Sequence, residues 1–382
     1  MADVTRVTDP AGAPPTVAVL LPCHDEAAYL PPLLATLVPQ IAAQPGWRLV
    51  AVNDSSTDAT GDLLDAAAAA ADPGTVRVIH GRFGSPGGAR TAAASSVTVL
   101  AHGAQPDWLL TIDCDVELPD DFVSGWAARF AEVQADEGVG ALNGDEHQGH
   151  LLAPFPNARR AGAAFGIAAN RAEAAVGITN LNGVNHAVRT VAYLTAGPYL
   201  QPTLLGPDGV VNLAGEDWDL GVRLRLAGFR IEPCPIAVRD RGRRLLADVL
   251  AYLSGEAYEG AFRRVHGDTP QDIDASLIDG IMDGTVDRVL LHFFCKPLLA
   301  QPELLGDLDD IDDIDGTGAA RRLGLAPDTV ASMRAWIARW PHPTFAESRH
   351  GFVYGRLARF TAAHLPAIRR DLGLTAADLA HA

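Results

Sequence analysis

The stretch Trp108-Leu-Leu-Thr-Ile-Asp-Cys-Asp115 decides the fold and points to the chemistry of this chain. Its apolar first part predicts a buried strand that ends where Asp113 and Asp115 begin. Open α/β sheets bind their ligands at the carboxyl ends of their strands. Carboxylate oxygens suit Mg²⁺ or Mn²⁺, and such ions complete their coordination with phosphate oxygens. The pair is compatible with a diphosphate-handling site, although such a pair taken alone more often caps the next turn or helix.

Strand and helix patterns alternate along the first part of the chain. Strands are expected at residues 16–22, 48–52, 75–79, 108–112 and 139–143. Helices are expected from Cys23 to about Ala43, after Thr60, and over residues 89–104 and 119–136. This alternation predicts an α/β fold with a parallel sheet that is covered by helices on both faces.

The remaining sequence changes from mixed patterns to helical ones. A helix is expected at 157–176, a short strand and helix within 185–195, a helix at 216–227 and a strand at 229–238. Residues 197–213 are rich in Gly and Pro and are expected to form a loop over the site. Helical patterns at 245–265, 273–299, 327–339 and 345–372 predict a mostly helical C-terminal region.

Composition excludes several classes of protein. The formal net charge of −17 argues against a general nucleic-acid surface and against polybasic docking on anionic lipid. The four cysteines lie far apart without a CxxC pattern, which favours reduced thiols in a cytoplasmic protein. No stretch of about 18 uninterrupted apolar residues is present, so no membrane span is expected.

Four further blocks accompany the acidic pair and, with it, resemble family 2 glycosyltransferases with the GT-A fold. They are Thr16-Val-Ala-Val-Leu-Leu-Pro22 with Cys23-His-Asp-Glu26, Asn53-Asp-Ser-Ser-Thr-Asp-Ala-Thr60, Gly84-Ser-Pro-Gly-Gly-Ala-Arg90 and Gly215-Glu-Asp-Trp-Asp-Leu220. Their order and approximate spacing over residues 16–245 are those of the family. The resemblance implies a GT-A catalytic domain at 16–244, with a nucleotide-binding half at about 16–118 and an acceptor half at about 119–244. It leaves a flexible N-terminus at 1–15 and a helical C-terminal region at 245–382.

The resemblance implies an enzyme that uses a nucleotide sugar and a metal ion. It would be an inverting glycosyltransferase, dependent on Mn²⁺ or Mg²⁺, that moves a sugar from a nucleoside diphosphate to a hydroxyl or amine. A UDP-sugar donor is favoured and a GDP-sugar donor is compatible with the same motifs. The acceptor is expected to be small and soluble, or lipid-linked.

Donor-binding roles follow from the resemblance for residues in the first four blocks. Asp54 would accept a hydrogen bond from the N3–H of uracil, while its neighbour Asp58 would cap the following turn and helix. Asp115 would ligate the metal, and Asp113 would contact the ribose or the metal. The other expected donor contacts are Pro22, His24, Glu26, Gly88, Arg90 and Cys114.

Two roles are assigned further along the chain. Asp217, at the start of a predicted helix, is expected to deprotonate the acceptor, and Glu216 to orient the acceptor or the sugar. Arg243 and Arg244 are expected to cradle the diphosphate, with a solvated run of charges as the alternative. Many GT-A enzymes have a histidine ligand in this region; here Asp240 or His266 would have to replace it.

The residues of the first strand–helix turn also bear on two other classes of enzyme. A sugar nucleotidyltransferase or a dinucleotide-binding dehydrogenase needs glycine in the first strand–helix turn, where this chain has Cys23-His-Asp-Glu26. Two alternatives stay open: a catalytically silent nucleotide-sugar-binding protein with the same fold, and a retaining transferase.

Overall fold

The computed structural model describes most of the N-terminal part of the chain and separate segments of the rest. The described residues are 14–99, 105–148, 156–157, 160, 172, 176, 179–200, 203–206, 209–212, 215–240, 276, 286–287, 290–300, 302–305, 317–339 and 349–373. They divide into two compact units, each of which is described by itself. The first takes its residues from the chain up to Asp145 and from Val184–Pro198 and Ala227–Val238; the second takes the others.

Ten strands are present in the described residues. In chain order they are β1 (Val17–Cys23), β2 (Trp47–Asp54), β3 (Val76–Gly81), β4 (Trp108–Ile112), β5 (Val116–Glu117), β6 (Val139–Gln148), β7 (Asn185–Arg189), β8 (Thr203–Gly206), β9 (Gly209–Asn212) and β10 (Arg230–Asp240). Eight of them form one sheet in the order β3-β2-β1-β4-β7-β6-β10-β5. The sheet continues past β4 with strands from distant parts of the sequence.

The sheet is mixed, which corrects the expectation of an entirely parallel one. β1 pairs in parallel with β2 and β4, and β2 pairs in parallel with β3. β7, in contrast, is antiparallel to both β4 and β6. Periodicity within a strand indicates which residues are buried but carries no information on strand direction, so this reversal could not be predicted from the sequence.

Helices cover both faces of the parallel part of the sheet. They are α1 (Leu30–Ala42), α2 (Thr60–Ala70), α3 (Pro86–Thr98) and α4 (Phe122–Val133), and α5 (Thr190–Ala196) follows β7. Alternate β1 residues Val17, Val19 and Leu21 join a core cluster with α1 and α4, while α3 packs against β1 and β2. Both faces of β1 are therefore buried, which explains its continuous apolar sequence.

An aromatic group anchors α4 to the sheet. The ring of Trp108 stacks on Phe130 at a centroid distance of 4.7 Å, and Trp126 lies 5.3 Å from the same ring. All three side chains are fully buried. Since Trp108 begins β4, this packing fixes the strand that ends at Ile112, directly before Asp113.

Helix α1 begins at Leu30, which corrects the expectation that it begins at Cys23. Pro31 and Pro32 lie in its first turn, where proline is tolerated because the first backbone amides have no intrahelical partner. Asp25 has a φ of 53°, in the left-handed region, so residues 24–29 form a turn. The acidic residues of this segment are consequently not helix caps.

The second unit is mostly helical beyond one hairpin. Its helices are α6 (Glu216–Leu226), a π-helical turn (Leu290–Cys295), α7 (Lys296–Ala300), a 3₁₀ turn (Pro302–Leu305), α8 (Thr317–Leu323), α9 (Pro327–Ile337) and α10 (Arg349–Leu372). β8 and β9 form an antiparallel hairpin, which corrects the loop expected at 197–213. The helical C-terminal region is confirmed for the described residues; the predicted helix at 245–265 lies outside them, as does nearly all of that at 157–176.

Candidate functional site

The carboxylate of Asp54, at the end of β2, holds the loop between β3 and α3. Its Oδ1 accepts hydrogen bonds from the backbone N–H groups of Phe83 at 2.6 Å and Gly84 at 3.2 Å. The residue is only 7% exposed. All the hydrogen bonds that described residues make to this carboxylate go to Oδ1. Asp54 is therefore oriented by backbone amides, with Oδ2 on the other side of the carboxylate.

The turn after β1 is fastened to the turn after β2. His24 Nδ1 lies 2.6 Å from the carbonyl oxygen of Asp54. The N–H of Glu26 donates to Thr60 Oγ1 at 2.7 Å, and Asp25 Oδ1 accepts from the N–H of Thr57 at 2.7 Å. These bonds place His24 and Glu26 beside Asp54, although 28 or more residues separate them in sequence.

Asp58 fixes the same two turns. Its Oδ1 accepts from the N–H of Thr60 at 3.0 Å and its Oδ2 from the N–H of Ala27 at 3.1 Å. Burial alone would raise its pKa, but the hydrogen bonds from Thr60 and Ala27 outweigh burial and lower the pKa of the carboxyl. This geometry fits the structural role expected for Asp58.

The first turn of α3 approaches the backbone of the preceding loop closely at Gly88. A Cβ added there would lie 2.6 Å from the carbonyl oxygen of Phe83, which excludes any larger residue without movement of the loop. Ser85 caps the helix, since its Oγ accepts the N–H of Gly88 at 3.0 Å. Helix α3 therefore begins at Pro86, three residues earlier than expected, and carries Arg90 on its second turn.

Arg90 and Asp113 form an ion pair. Arg90 Nη2 donates to Asp113 Oδ1 at 2.6 Å, and the two side chains are 2% and 20% exposed. Arg90 was expected beside the diphosphate; the structure places it against the first acid of the Asp113/Asp115 pair. A charge-assisted bond of this length restricts the orientation of the carboxylate.

Cys114 connects the ends of β1 and β4. Its Sγ lies 3.1 Å from the carbonyl oxygen of Pro22 and 2.7 Å from Cys23 Sγ. Burial raises the pKa of the Cys114 thiol, and the hydrogen-bonded Cys23 thiol raises it further. Cys23 was not among the expected site residues, and nothing in its sequence context indicates this contact.

The acidic pair fits a metal ion that shares its coordination with a ligand. Asp115 is 8% exposed, and one oxygen of Asp113 is bound to Arg90. Within the described parts of the chain, no group of three or more His, Cys, Asp or Glu side chains is arranged to hold a metal. Mg²⁺ is commonly held by one or two carboxylates together with substrate phosphates, which is the donor set available here. Arg243, Arg244 and His266 lie outside the described residues, as does the side chain of Asp240.

The first turn of α6 concentrates negative charge. Glu216, Asp217 and Asp219 all lie in it, where the helix dipole favours carboxylates. Asp219 Oδ2 accepts from Arg223 Nε at 2.8 Å, and Lys296 Nζ lies 4.1 Å from the centroid of the Trp218 ring. Burial raises the pKa of the Asp219 carboxyl, and the charges of Arg223 and Lys296 oppose that rise. Neither Trp218 nor Lys296 was an expected site residue; the composition gives one hint, because Lys296 is the only lysine.

The expected site residues therefore form two groups. The first unit brings nine of them to the carboxyl ends of the parallel strands β1, β2 and β4 and to the start of α3: Pro22, His24, Glu26, Asp54, Gly88, Arg90, Asp113, Cys114 and Asp115. Glu216 and Asp217 belong to the second unit, at the start of α6.

Comparison with known proteins assigns the first group to a family. Residues 18–142, about a third of the chain, match the family model described as Glycosyl transferase family 2. This segment is a family 2 glycosyltransferase domain. The glycosyltransferase domain contains four of the five blocks on which the resemblance was based, so the expected family is confirmed there. The block at Gly215–Leu220 lies beyond the matched segment.

Solved structures with similar folds include several glycosyltransferases. Mannosyltransferase PcManGT from Pyrobaculum calidifontis, solved with GDP-Man and Mn²⁺, has 14% identity and a TM-score of 0.45, covering 94% of this chain and 88% of that one. S. aureus TarS 1-349 has 13% identity and a TM-score of 0.42, with 94% and 92% covered. Glucosyl-3-phosphoglycerate synthase from Mycobacterium tuberculosis, with Mn²⁺, UDP and phosphoglyceric acid, has 16% identity and a TM-score of 0.38, with 62% and 78% covered. No curated protein matches the chain.

Among the helices that the structure describes, none combines the length and the apolar character needed to cross a bilayer.

Proposed function

We propose that this protein is a metal-dependent, inverting glycosyltransferase that moves a sugar from a nucleoside diphosphate to a hydroxyl or amine. One observation carries the proposal. Within a family 2 glycosyltransferase domain, Asp54, Asp113 and Asp115 lie at or just after the carboxyl ends of β2 and β4, and Arg90, on α3, orients Asp113 through a 2.6 Å ion pair. That edge of an α/β sheet is where nucleotide ligands bind.

Asp54 is the proposed base-binding residue. Because Phe83 and Gly84 hold its Oδ1, its Oδ2 would accept the N3–H of a uracil in a fixed direction. The same donor group occurs on the guanine ring at N1, so UDP is the first donor nucleotide to test and GDP the second.

Asp113 and Asp115 are the proposed residues for Mn²⁺ or Mg²⁺. The ion would supply positive charge that stabilises the departing diphosphate. Arg90, the expected diphosphate contact, also holds Asp113 in place through this ion pair. Asp115, which lies two residues after Asp113 between β4 and β5, is the principal proposed ligand.

Asp217 is the proposed general base, with Glu216 orienting the acceptor or the sugar. An inverting displacement needs a carboxylate that removes the proton of the acceptor as the new bond forms. Asp217 lies in the first turn of α6, where the backbone amides and the helix dipole favour its ionised, proton-accepting form.

The donor half of the proposal is tested by ligand-dependent stability. The melting temperature would be measured with UDP, GDP, ADP and dTDP, each with and without Mn²⁺, because a ligand of the folded state raises stability. We expect an increase with UDP or GDP that needs the metal. Equal responses to all four nucleotides, or none, would contradict a specific donor site.

The chemical half is tested by Asp217→Asn. Transfer should fall by at least about 1,000-fold while the nucleotide-induced increase in melting temperature is retained. Asp328→Asn, an exposed acid in the first turn of α9, is the matched control in the same unit. Undiminished transfer by Asp217→Asn would remove Asp217 from the mechanism, and NMR of the product's anomeric configuration would decide between inversion and retention.

A further inference from the structure

The only lysine of the chain is buried beside the acidic start of α6. Of the 30 basic residues, 29 are arginine, and Lys296 alone is lysine. Its exposure is 7%, and its Nζ lies 4.1 Å from the centroid of the Trp218 ring. Burial of an ammonium group is costly unless aromatic or anionic neighbours compensate it. Trp218 provides the aromatic face, and Asp219 is close enough for its carboxyl pKa to respond to the lysine charge.

Trp218 immediately follows Asp217 in α6. Successive helical side chains differ by about 100° around the axis, so a rotation of the helix start that moves the Trp218 ring turns Asp217 equally. Contact between Lys296, at the first position of α7, and the face of Trp218 therefore restricts the direction of Asp217. Arg223 adds a second restraint through its 2.8 Å bond to Asp219.

We infer that Lys296 is a positioning residue for Asp217, acting through the face of Trp218. The inference rests on the proposed function, because it assigns Lys296 to the orientation of the proposed base. Lysine suits this role since its ammonium is a compact charge that sits on one ring face, whereas arginine spreads its charge over a planar fork.

The kinetic test compares Lys296→Met and Lys296→Arg with the wild type. Turnover of UDP-glucose and of GDP-mannose would be measured with Mn²⁺ and with water as acceptor, so that no acceptor has to be known. We expect Lys296→Met to lower kcat on the order of 100-fold, as for a misplaced catalytic group, with KM for the donor changed less than about twofold. Lys296→Arg should recover part of kcat, and Arg321→Met, at an exposed position on α8, should have no effect.

Two kinetic results would overturn the inference. A rise in KM with kcat unchanged would make Lys296 a donor-binding residue, and unchanged kcat and KM would give it no role in turnover. If kcat of Lys296→Arg were as low as that of Lys296→Met, a positive charge on the Trp218 ring face would not be what positions Asp217, and the inference would also be contradicted.

A spectroscopic test works without turnover. Lysine-selective ¹³C labelling of the full chain yields one lysine Cε–Hε signal, which the Trp218 ring current should shift upfield. Trp218→Leu should return this signal to the position of a free lysine, and Lys296→Met should increase amide hydrogen exchange in the peptide that contains residues 215–226. An unshifted signal in the wild type, or unchanged exchange in Lys296→Met, would refute the positioning contact. If the wild type turns over neither donor, the proposed function fails for them, and these two measurements still decide whether Lys296 fixes the start of α6.

Discussion

The strand-end loops of the first unit and the first turn of α6 in the second both concentrate carboxylates, but they hold them differently. In the loops, backbone amides hold the carboxylates. Asp54 accepts hydrogen bonds from the N–H groups of Phe83 and Gly84, and Asp58 accepts them from those of Thr60 and Ala27. In α6, cationic side chains orient the acidic turn. Arg223 donates a hydrogen bond to Asp219, and the ammonium group of Lys296 lies over the ring of Trp218.

This difference separates rigid from adjustable acidic sites. The strand ends fix the positions of these backbone amides, so the main chain orients the carboxylates that are bound to them. Cationic side chains, in contrast, can change rotamer, so the carboxylates that they hold are oriented less firmly. The Arg90–Asp113 pair is the exception in the first unit, since a side chain there performs the task that amides perform for Asp54.

The largest expected effect tests whether Asp115 binds the metal ion or only stabilises the loop that contains it. Asp115→Asn should abolish the Mn²⁺-dependent part of the nucleotide-induced increase in melting temperature. It should also lower turnover at least on the order of 100-fold, because the charge that stabilises the leaving diphosphate is misplaced. Asp120→Asn, an exposed acid nearby, should change neither quantity. A full metal response in Asp115→Asn would exclude Asp115 as the ligand.

The next effect tests whether the Arg90–Asp113 ion pair contributes to the free energy of unfolding, as the hydrogen bonds from backbone amides to Asp54 are expected to do. Arg90→Met should lower the free energy of unfolding by about 3 kcal/mol, since it leaves the Asp113 carboxylate without its buried partner. The double variant Arg90→Met/Asp113→Asn should be more stable than Arg90→Met alone. Urea denaturation gives both values, with Arg82→Met at an exposed position as the control. A double variant that is no more stable would mean that the pair is not coupled.

A smaller effect tests the amide-bound carboxylate of Asp54 directly. Asp54→Ala should lower the free energy of unfolding by about 2 kcal/mol, because the N–H groups of Phe83 and Gly84 lose their acceptor. Asp54→Asn keeps an acceptor oxygen and should cost less than half as much. Both variants are compared by urea denaturation at pH 7, and equal costs would show that charge, and not the acceptor, matters at this position.

The smallest effect concerns pH and the adjustable site. Burial raises the pKa of Asp219 above 3.8 in the folded chain, so at pH values between 3.8 and the raised value the folded state binds more protons than the unfolded state. The wild type therefore loses stability relative to Asp219→Asn as the pH rises through that window. Unfolding free energies measured from pH 3.5 to 7 would show the difference, with Asp328→Asn as the reference. A relative gain in wild-type stability with rising pH would mean that Arg223 and Lys296 outweigh burial.

Elements with strong local patterns were predicted well from the sequence. The bounds of β4 agree with the expected strand, and the short strand and helix after Val184 were placed correctly as β7 and α5. The start of α1 was misplaced because Asp25 and Glu26 look like capping residues, whereas the tandem prolines Pro31 and Pro32 mark the first turn. The hairpin β8–β9 was missed because its Gly and Pro content is typical of loops.

The sequence by itself determined the α/β class, the family of residues 18–142 and the residue types at the strand ends, since periodicity and motif order are properties of the chain alone. Only the tertiary structure decided strand direction beyond β4, the partner of Arg90, the contact between Cys23 and Cys114, and the position of Lys296 over Trp218. Each of these depends on which distant segments meet. Local sequence sets backbone preference and burial, but the packing of the whole chain sets the pairing of side chains that lie 23 to 91 residues apart.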